Sequence, residues 1–246
     1  MQAAVFDHLA AKYDDMWTHS AIGRAQRDAV WRHLGRVFTP GQSVLELGCG
    51  TGEDAARLQR CGVAVVAIDS SPGMVNVARR RGIDAAVRRI EDLQLIEGMF
   101  DGAISNFGPL NCVRDLRPVV EQLARLVRSG GLLVFSIIGR FCLWETLYYL
   151  SRNDFRRAIR RWGGRATMSS DKVPIFYPSV AAIRRAFAPE FRLVHFAGIG
   201  CCIPPSYVKG IGRRQLQMLE TIDRTIAGIP LLRALSDHRL LVLRRY

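Results

Sequence analysis

The sequence lacks the features of membrane-spanning, secreted and zinc-binding proteins. No apolar run approaches the ~18 residues of a membrane span, and no basic segment followed by a long apolar stretch stands at the N-terminus. The six cysteines form no Cys-x-x-Cys pair and have no histidine nearby at ligand spacing, so neither a zinc site nor a disulfide framework is indicated. We expect a cytoplasmic protein with reduced, mostly buried thiols and no metal ion.

Lysine is also scarce, since 32 of the 35 basic residues are arginine and the formal net charge is +13. A basic surface can bind phosphate groups, as in nucleic-acid-binding proteins. Such a preference for arginine can equally reflect genome base composition, and the charges are spread along the chain apart from 79–81 and 152–165. We therefore favour a solvated basic face over nucleic-acid binding.

The segment 44–52, Val-Leu-Glu-Leu-Gly-Cys-Gly-Thr-Gly, lacks the third glycine of the dinucleotide fingerprint Gly-x-Gly-x-x-Gly. Glu53 takes that place and Glu46 ends the preceding strand, so two carboxylates would face a bound pyrophosphate. A ligand with positive charge and no phosphate suits them better. S-adenosylmethionine is such a ligand: its α-amino group and sulfonium are cationic, and its adenosine needs the close backbone approach that glycine permits. Residues 48–52 are called the glycine loop below.

A second acid follows at the spacing of a ribose ligand. The apolar run 63–68 ends in Asp69, 21 residues after Gly48, and an acid ~20 residues on can accept hydrogen bonds from ribose hydroxyls in a doubly wound sheet. This spacing alone leaves a nicotinamide cofactor open. Together, Glu46, the Gly-x-Gly-x-Gly spacing and Asp69 resemble the class I S-adenosylmethionine-dependent methyltransferases of the small-molecule type.

The alternation of strand and helix patterns predicts a parallel α/β sheet in one domain. The resemblance implies a doubly wound, mostly parallel seven-stranded sheet, Rossmann-like, whose last strand is antiparallel. The expected division is a helical N-terminal cap (1–40), a cofactor-binding core (41–139), an insertion that serves as substrate lid (140–178) and the rest of the sheet (179–246) with a second insertion (198–236). Patterns indicate strands at 44–47, 64–68, 85–87, 100–105, 132–138, 192–196 and 239–243, and core helices at 53–60, 72–81, 116–128 and 179–187.

The resemblance also implies which residues bind S-adenosylmethionine. Asp69 would bind the ribose, and Asn106 lies at the tip of the fourth strand, where ligands bind in such sheets. Arg89 stands where relatives often have an acid for the adenine amino group, so Ile90 is expected to pack on adenine, with Glu91 or Asp92 supplying a carboxylate. Contacts to the methionine part are expected from Glu46, Gly48, Cys49, Gly50 and Gly52, and contacts near the adenosine from Ser70 and Met74.

The N-terminal segment 13–24 mixes aromatic, acidic and basic side chains and should cover the site. Tyr13 is expected to close on the cofactor, and Arg24 can bind its carboxylate in a two-pronged contact. His19, or alternatively His8, is a candidate base for an incoming nucleophile, whereas His238 is expected to be structural. Tyr13 and His19 are thus the candidate catalytic residues, and an exposed helical face is the alternative for this segment.

These features predict methyl transfer to an oxygen or nitrogen atom of a small, hydrophobic or aromatic molecule. The apolar segment 141–150 suits a pocket wall; the alternatives are ordinary packing and, less favoured because it depends on the arginines that follow, a membrane-surface helix. Asn106-Phe107-Gly108-Pro109 lacks the proline pair of nucleic-acid amino-methyltransferases. The alternatives are a nicotinamide-dependent oxidoreductase, an RNA methyltransferase and a non-catalytic cofactor-binding module.

Overall fold

Strands and helices alternate along the computed structural model, which describes residues 2–168, 173–208 and 210–246. The strands are β1 (Ser43–Leu47), β2 (Ala64–Asp69), β3 (Asp84–Val87), β4 (Phe100–Ser105), β5 (Val127–Ile138), β6 (Arg165–Met168), β7 (Val173–Phe176), β8 (Phe191–Ile199) and β9 (His238–Arg245). The helices are α1 (Gln2–Leu9), α2 (Ala21–Val37), α3 (Glu53–Arg60), α4 (Pro72–Arg80), α5 (Arg117–Leu126), α6 (Leu143–Leu150), α7 (Phe155–Ala158), α8 (Val180–Phe187), α9 (Arg213–Ile226) and α10 (Pro230–Arg233).

Seven strands form one sheet in the order β3-β2-β1-β4-β5-β9-β8. The pairs from β3 to β5 are parallel, and β9 is antiparallel to both β5 and β8. This arrangement confirms the predicted doubly wound sheet with an antiparallel last strand. From β1 the chain adds β2 and β3 on one side of the sheet and then crosses over to add β4 and β5 on the other side. Ligands bind outside the carboxyl ends of the strands at such a switch point, here between β1 and β4.

The central strands are buried on both faces, which explains why they are continuous apolar runs rather than alternating ones. On β1, Leu45 and Leu47 pack in one apolar cluster with Leu123 of α5 and Phe187 of α8. Val44 points to the opposite face, where it packs with side chains of α2, α3 and α4. The sheet is thus a rigid layer between two layers of helices, and its strand ends are held in place from both sides.

The fifth strand begins earlier than the sequence pattern predicted. Helix α5 ends at Leu126, not at Arg128, and the Val127 N–H donates to the carbonyl oxygen of Leu123. Val127 already pairs with Phe100 of β4, after which the register shifts. Residues 129–131, between the predicted helix 116–128 and the predicted strand 132–138, therefore belong to an irregular part of β5, because pairing with β4 outweighs the helical pattern.

Two further segments differ from expectation. The predicted insertion 140–178, for which no strand was expected, contains the antiparallel pair β6 and β7, called the hairpin below; residues 169–172 lie outside the described part. The N-terminal helical region is interrupted by a π-helical turn at Asp14–Thr18 before α2 begins. Within the described residues, no helix is both long and apolar enough to cross a membrane.

Candidate active site

The glycine loop lies at the carboxyl ends of β1 and β2 and is bonded to the second of these strands. Its Gly48 N–H donates to the carbonyl oxygen of Ile68 at 2.8 Å. Gly50 N–H donates to Asp69 Oδ2 at 2.9 Å, and Ser71 N–H donates to Asp69 Oδ1, also at 2.9 Å. Burial raises the pKa of Asp69. One carboxylate therefore joins the glycine loop to the start of α4.

Position 48 requires glycine because of its backbone conformation and because there is no space for a side chain. Its φ is +72°, which L side chains rarely adopt, and a Cβ there would lie 2.3 Å from Cβ of Pro109. The loop consequently passes close to the segment that follows β4, and the two border one cavity.

Three buried polar atoms near the glycine loop have no hydrogen-bond partner among the residues described: Glu46 Oε2, Asn106 Oδ1 and Arg27 Nε. Burial, with the nearby charge of Asp54, raises the pKa of Glu46 well above its ordinary value. Buried polar groups normally have partners. Two acceptors and one donor without partners fit a ligand that carries both a cationic and an anionic group.

Arg27 is held at the cavity by one carboxylate and two aromatic rings. Its guanidinium lies 2.7 Å from Asp54 Oδ1, and Asn106 Nδ2 donates to Asp54 Oδ2 at 3.2 Å. It also lies 4.6 Å from the Trp17 ring centroid and 5.2 Å from that of Phe107. Burial alone would lower the pKa of Arg27, but Asp54 raises it. The group therefore stays charged beside Asn106.

A cavity of about 880 Å³ opens at this edge of the sheet. One part is bordered by the glycine loop and Asp69, and the other part is mainly apolar. A volume of this size falls in the range of cofactor and small-molecule sites. The apolar part is lined chiefly by Phe6, Met16, Trp17, Ile138, Ile175 and Phe176.

The hairpin covers the apolar part and is held there by Asn111, which is fully buried. Asn111 Nδ2 donates to the carbonyl oxygens of Phe176 at 2.7 Å and Ile138 at 3.2 Å, and its Oδ1 accepts from Ile138 N–H at 2.8 Å. A single side chain therefore connects the hairpin to the end of β5.

The N-terminal segment is attached to the same edge by acidic side chains. Asp7 accepts hydrogen bonds from Ser71 Oγ and, at 2.8 Å, from Gly73 N–H at the start of α4. Asp14 accepts from Thr51 Oγ1 of the glycine loop at 2.8 Å. These bonds place the π-helical turn and its aromatic residues over the cavity.

Most of the residues predicted to form the site line this cavity. Tyr13 borders it from the N-terminal segment, and burial raises the pKa of its phenol. The other predicted residues that line it are Gly48, Cys49, Gly50, Asp69, Ser70, Met74, Ile90, Glu91 and Asn106.

Four predicted residues do not line the cavity. Glu46 lies buried in β1, and Gly52 is the N-terminal cap of α3, where a Cβ would lie 3.0 Å from Cβ of Ala78. The Arg24 guanidinium lies 3.4 Å from Glu53 Oε1. His19 is exposed.

The segment 141–150, predicted to be a pocket wall, contributes no residue to the cavity lining in the described chain, and the hairpin takes that place. Sequence reasoning also did not select Arg27 or Phe107 as site residues. Phe107 has a φ of +59°, which is unusual for a bulky residue. No sequence motif predicted this backbone conformation. His238 lines a side cavity of about 160 Å³ that shares Tyr13 and Phe107 with the main one.

Cys49, Cys142 and Cys201 are free and buried, whereas Cys61 is exposed. No group of three or more His, Cys, Asp or Glu residues that could hold a metal ion occurs in the part of the chain that the structure describes.

Sequence comparison relates the chain to methyltransferases. Residues 44–131 match the family model of a methyltransferase domain. The demethylmenaquinone methyltransferase of Paenarthrobacter aurescens (strain TC1) is 34% identical over 159 residues, which cover 61% of each chain. The malonyl-[acyl-carrier protein] O-methyltransferase of Serratia marcescens is 34% identical over 148 residues, covering 58% of this chain and 54% of that protein. The matched regions thus span about three fifths of these relatives.

Structural comparison shows the same fold in solved methyltransferases. The 1,6-didemethyltoxoflavin-N1-methyltransferase of Burkholderia thailandensis, solved with 1,6-didemethyltoxoflavin and S-adenosylhomocysteine, superposes with a TM-score of 0.60 at 18% identity. The superposition covers 99% of this chain and 87% of that one. At this identity the likeness concerns the fold.

Proposed function

We propose that this chain, whose sequence is similar to that of methyltransferases and whose fold is found in solved methyltransferases, transfers a methyl group from S-adenosylmethionine to a small molecule. The observation that carries the proposal is the pair of unpartnered polar atoms on Asn106 and Arg27, which line the cavity, together with the unpartnered Glu46 Oε2, which is buried in β1. An ammonium group would satisfy the Asn106 oxygen and be attracted by the Glu46 carboxyl group, and a carboxylate would satisfy Arg27 Nε. Both groups belong to the methionine part of the cofactor, and a dinucleotide has neither.

The remaining residues of the cofactor part fit the same ligand. Asp69 has each oxygen engaged by one backbone N–H and retains lone pairs for ribose hydroxyls. Met74 and Ile90 offer apolar surface to adenine, and Glu91 a carboxylate beside it. A bound cation would also favour the charged form of Glu46, whose pKa burial raises.

In this proposal the bound cofactor supplies an electrophilic methyl group on a cationic sulfur. The protein then has to align the acceptor and exclude water. Trp17 and Phe107, whose ring centroids are 4.7 Å apart, both line the cavity, and Tyr13 packs beside Trp17 with ring centroids 6.0 Å apart. Tyr13 remains our candidate for orienting the acceptor.

The role of His19 as a base is a weaker part of the proposal, because its imidazole lies outside the cavity lining. Its Nδ1 is 3.4 Å from Asp15 Oδ1, so it would have to move to reach an acceptor. With His19 outside the cavity lining, we favour an acceptor atom that loses no proton on methylation or that is already deprotonated when it binds.

The apolar walls support a hydrophobic or aromatic acceptor, methylated at oxygen or nitrogen. Leu9, Ile175 and Phe176 offer such a molecule contact area, and Arg165 a charge at the same wall. In the division that we propose, the cap 1–40 and the insertion 140–178 select the acceptor, while 41–139 binds the cofactor; the remainder, 179–246, completes the sheet and carries the second insertion.

Calorimetric titration of the purified protein tests the cofactor. We expect saturable binding of S-adenosylhomocysteine and none of NADH or NADPH.

A labelling experiment tests the acceptor. The protein is incubated with S-adenosylmethionine that carries a labelled methyl group and with a fraction of cell metabolites or, separately, with RNA. Label should enter a small, apolar compound. Binding of NADH alone would refute the proposal, label in RNA would refute the acceptor class, and binding without any labelled product would favour a non-catalytic module.

A further inference from the structure

Helix α6 and the segment from α7 to Trp162 present their apolar side chains to solvent. Leu143, Leu147 and Leu150 of α6 are exposed, Leu147 by 54%, and their i, i+4, i+7 spacing places them on one face of the helix. Phe155, Ile159 and Trp162 repeat this spacing and are also exposed, Phe155 by 64%. The six side chains are called the outer apolar face.

The opposite side of the same two elements is charged and buried. Glu145 lies on the other side of α6 and is 1% exposed. It accepts hydrogen bonds from Arg161 at 2.7 and 2.9 Å and from Arg160 at 2.7 and 3.0 Å. A surface helix normally has its apolar side inward and its charged side outward. Here the order is reversed, and exposed apolar patches of this kind mark interaction sites.

The two elements form one surface rather than two separate ones. Thr146 Oγ1 of α6 donates to the carbonyl oxygen of Ala158 of α7 at 3.2 Å. At the margin, the rings of Phe141 and Trp162 contact each other edge to face, with centroids 5.8 Å apart. The outer apolar face is therefore a continuous feature of the insertion 140–178.

Arginine surrounds this face, so its partner should be anionic. Segment 140–165 contains seven arginines and two acids. Arg161 and Glu145 are buried, Arg165 lines the cavity, and Asp154 accepts from Arg157 N–H at 3.0 Å, so the arginines at this face are the remaining exposed ones. Arg152 lies 4.1 Å from the Tyr148 ring centroid and so stays beside the apolar residues. A second copy of the chain is a poor partner, because each copy carries +13 and would bring the same arginines to the contact.

We infer that the outer apolar face docks on an anionic lipid surface. Apolar side chains between arginines suit the boundary of headgroups and acyl chains, where the apolar part is buried and the guanidinium groups meet lipid phosphates. Trp162 is a residue type that is enriched at that boundary. The inference is independent of methyl transfer, since it concerns a surface outside the cavity.

Vesicle flotation of the full-length protein tests the inference without cofactor or acceptor. The probes are vesicles of phosphatidylcholine alone and of phosphatidylcholine with phosphatidylglycerol. We expect flotation with the anionic vesicles, at least a fivefold lower bound fraction with the neutral ones, and a loss at high salt. A double variant Leu147→Ser and Phe155→Ser should lose at least fivefold in bound fraction, and so should Arg152→Glu with Arg156→Glu.

The matched control replaces equally exposed apolar residues elsewhere, Met218→Ser and Leu231→Ser, and should float like the unmodified chain. A thermal shift with S-adenosylhomocysteine, unchanged in all variants, would show that each is folded. Absence of flotation with anionic vesicles would overturn the inference. So would flotation that both double variants retain, or a dimer in sedimentation velocity that depends on Leu147 and Phe155 without vesicle binding.

Discussion

Gly50 combines an unusual backbone conformation with open space on its side-chain position. Its φ is +54°, and a Cβ there would meet nothing within 4 Å. We expect Gly50→Ala to weaken binding of S-adenosylhomocysteine at least tenfold, because the methyl group would occupy space that the ligand needs, and to cost about 1–2 kcal/mol of stability from left-handed backbone strain. Calorimetric titration and urea unfolding measure the two effects.

Gly82→Ala is the control, since Gly82 has a φ of +79° and equally open space but does not line the cavity. Gly82→Ala should lower the free energy of unfolding by a similar amount and change the affinity for S-adenosylhomocysteine by less than twofold. Equal losses of affinity in both variants would show that strain, rather than contact with the ligand, explains the effect of Gly50→Ala.

Arg24 and Arg27, both in α2, are the two candidates for binding the cofactor carboxylate. Arg24 was selected from the sequence, whereas the structure places Arg27 at the cavity with an unpartnered Nε. Arg27→Lys keeps the charge beside Asp54 and removes the planar stacking on Trp17 and the Nε donor. We expect about a tenfold loss of affinity for S-adenosylhomocysteine with Arg27→Lys and less than twofold with Arg24→Lys. The reverse result would support the assignment made from sequence.

His33 should make stability depend on pH. Burial, together with the neighbouring His195, lowers its pKa to about 4. Between pH 6.5 and 4 the unfolded chain therefore binds a proton at His33 that the folded chain does not, so stability falls as the pH falls. His33→Gln should remove about 2 kcal/mol of that fall. Urea unfolding at pH 7.5 and pH 4.5 measures it; an unchanged pH dependence would contradict the prediction.

At the scale of elements, the hairpin depends on the short turn after β4. Asn111→Ala removes two hydrogen bonds that Asn111 donates and one that it accepts, at a buried position. We expect a stability loss of about 2–4 kcal/mol, faster proteolysis between 165 and 176 and a higher KM for the acceptor. Affinity for S-adenosylhomocysteine should change little, because the cofactor part of the cavity is formed by other elements; a large loss there would show that the hairpin also shapes the cofactor site.

The elements of the core were predictable and those of the insertions were not. Segment 64–68 is a continuous apolar run followed by proline at the first turn of a helix, and the structure has β2 and α4 there. Segment 165–176 has no such pattern, because β6 and β7 are short and depend on Asn111 and on each other. Local periodicity predicts an element only where the element does not depend on distant partners.

At the scale of the molecule, Glu145 joins α6 to the segment that contains Tyr207. It accepts hydrogen bonds from Arg160, Arg161 and, at 2.8 Å, from Tyr207 Oη. Glu145→Gln would leave the buried Arg161 with Asp237 as its remaining counter-ion and the partly exposed Arg160 without the carboxylate that it binds, and we expect a loss of about 3 kcal/mol in urea unfolding. Glu220→Gln is the control, since Glu220 pairs with Arg224 at 3.8 Å on an exposed part of α9; it should cost less than about 0.5 kcal/mol. Similar losses would show that the buried cluster contributes no more than a surface pair.

The sequence by itself determined the parallel strands and helices of the core and the glycine loop with Asp69 after the second strand, while the antiparallel last strand was implied by the resemblance. These depend on steric and periodic rules that act over a few residues: glycine where φ is positive, apolar runs where a strand is buried on both faces. The tertiary structure decided which of Arg24 and Arg27 enters the cavity, that the hairpin covers it, and that α6 turns its leucines outward. Periodicity shows that a helix has an apolar face. Whether that face points inward or outward depends on which buried residues contact the opposite side of the helix. For α6 those partners are Arg160 and Arg161, which follow Glu145 by 15 and 16 residues, and Tyr207, which follows it by 62.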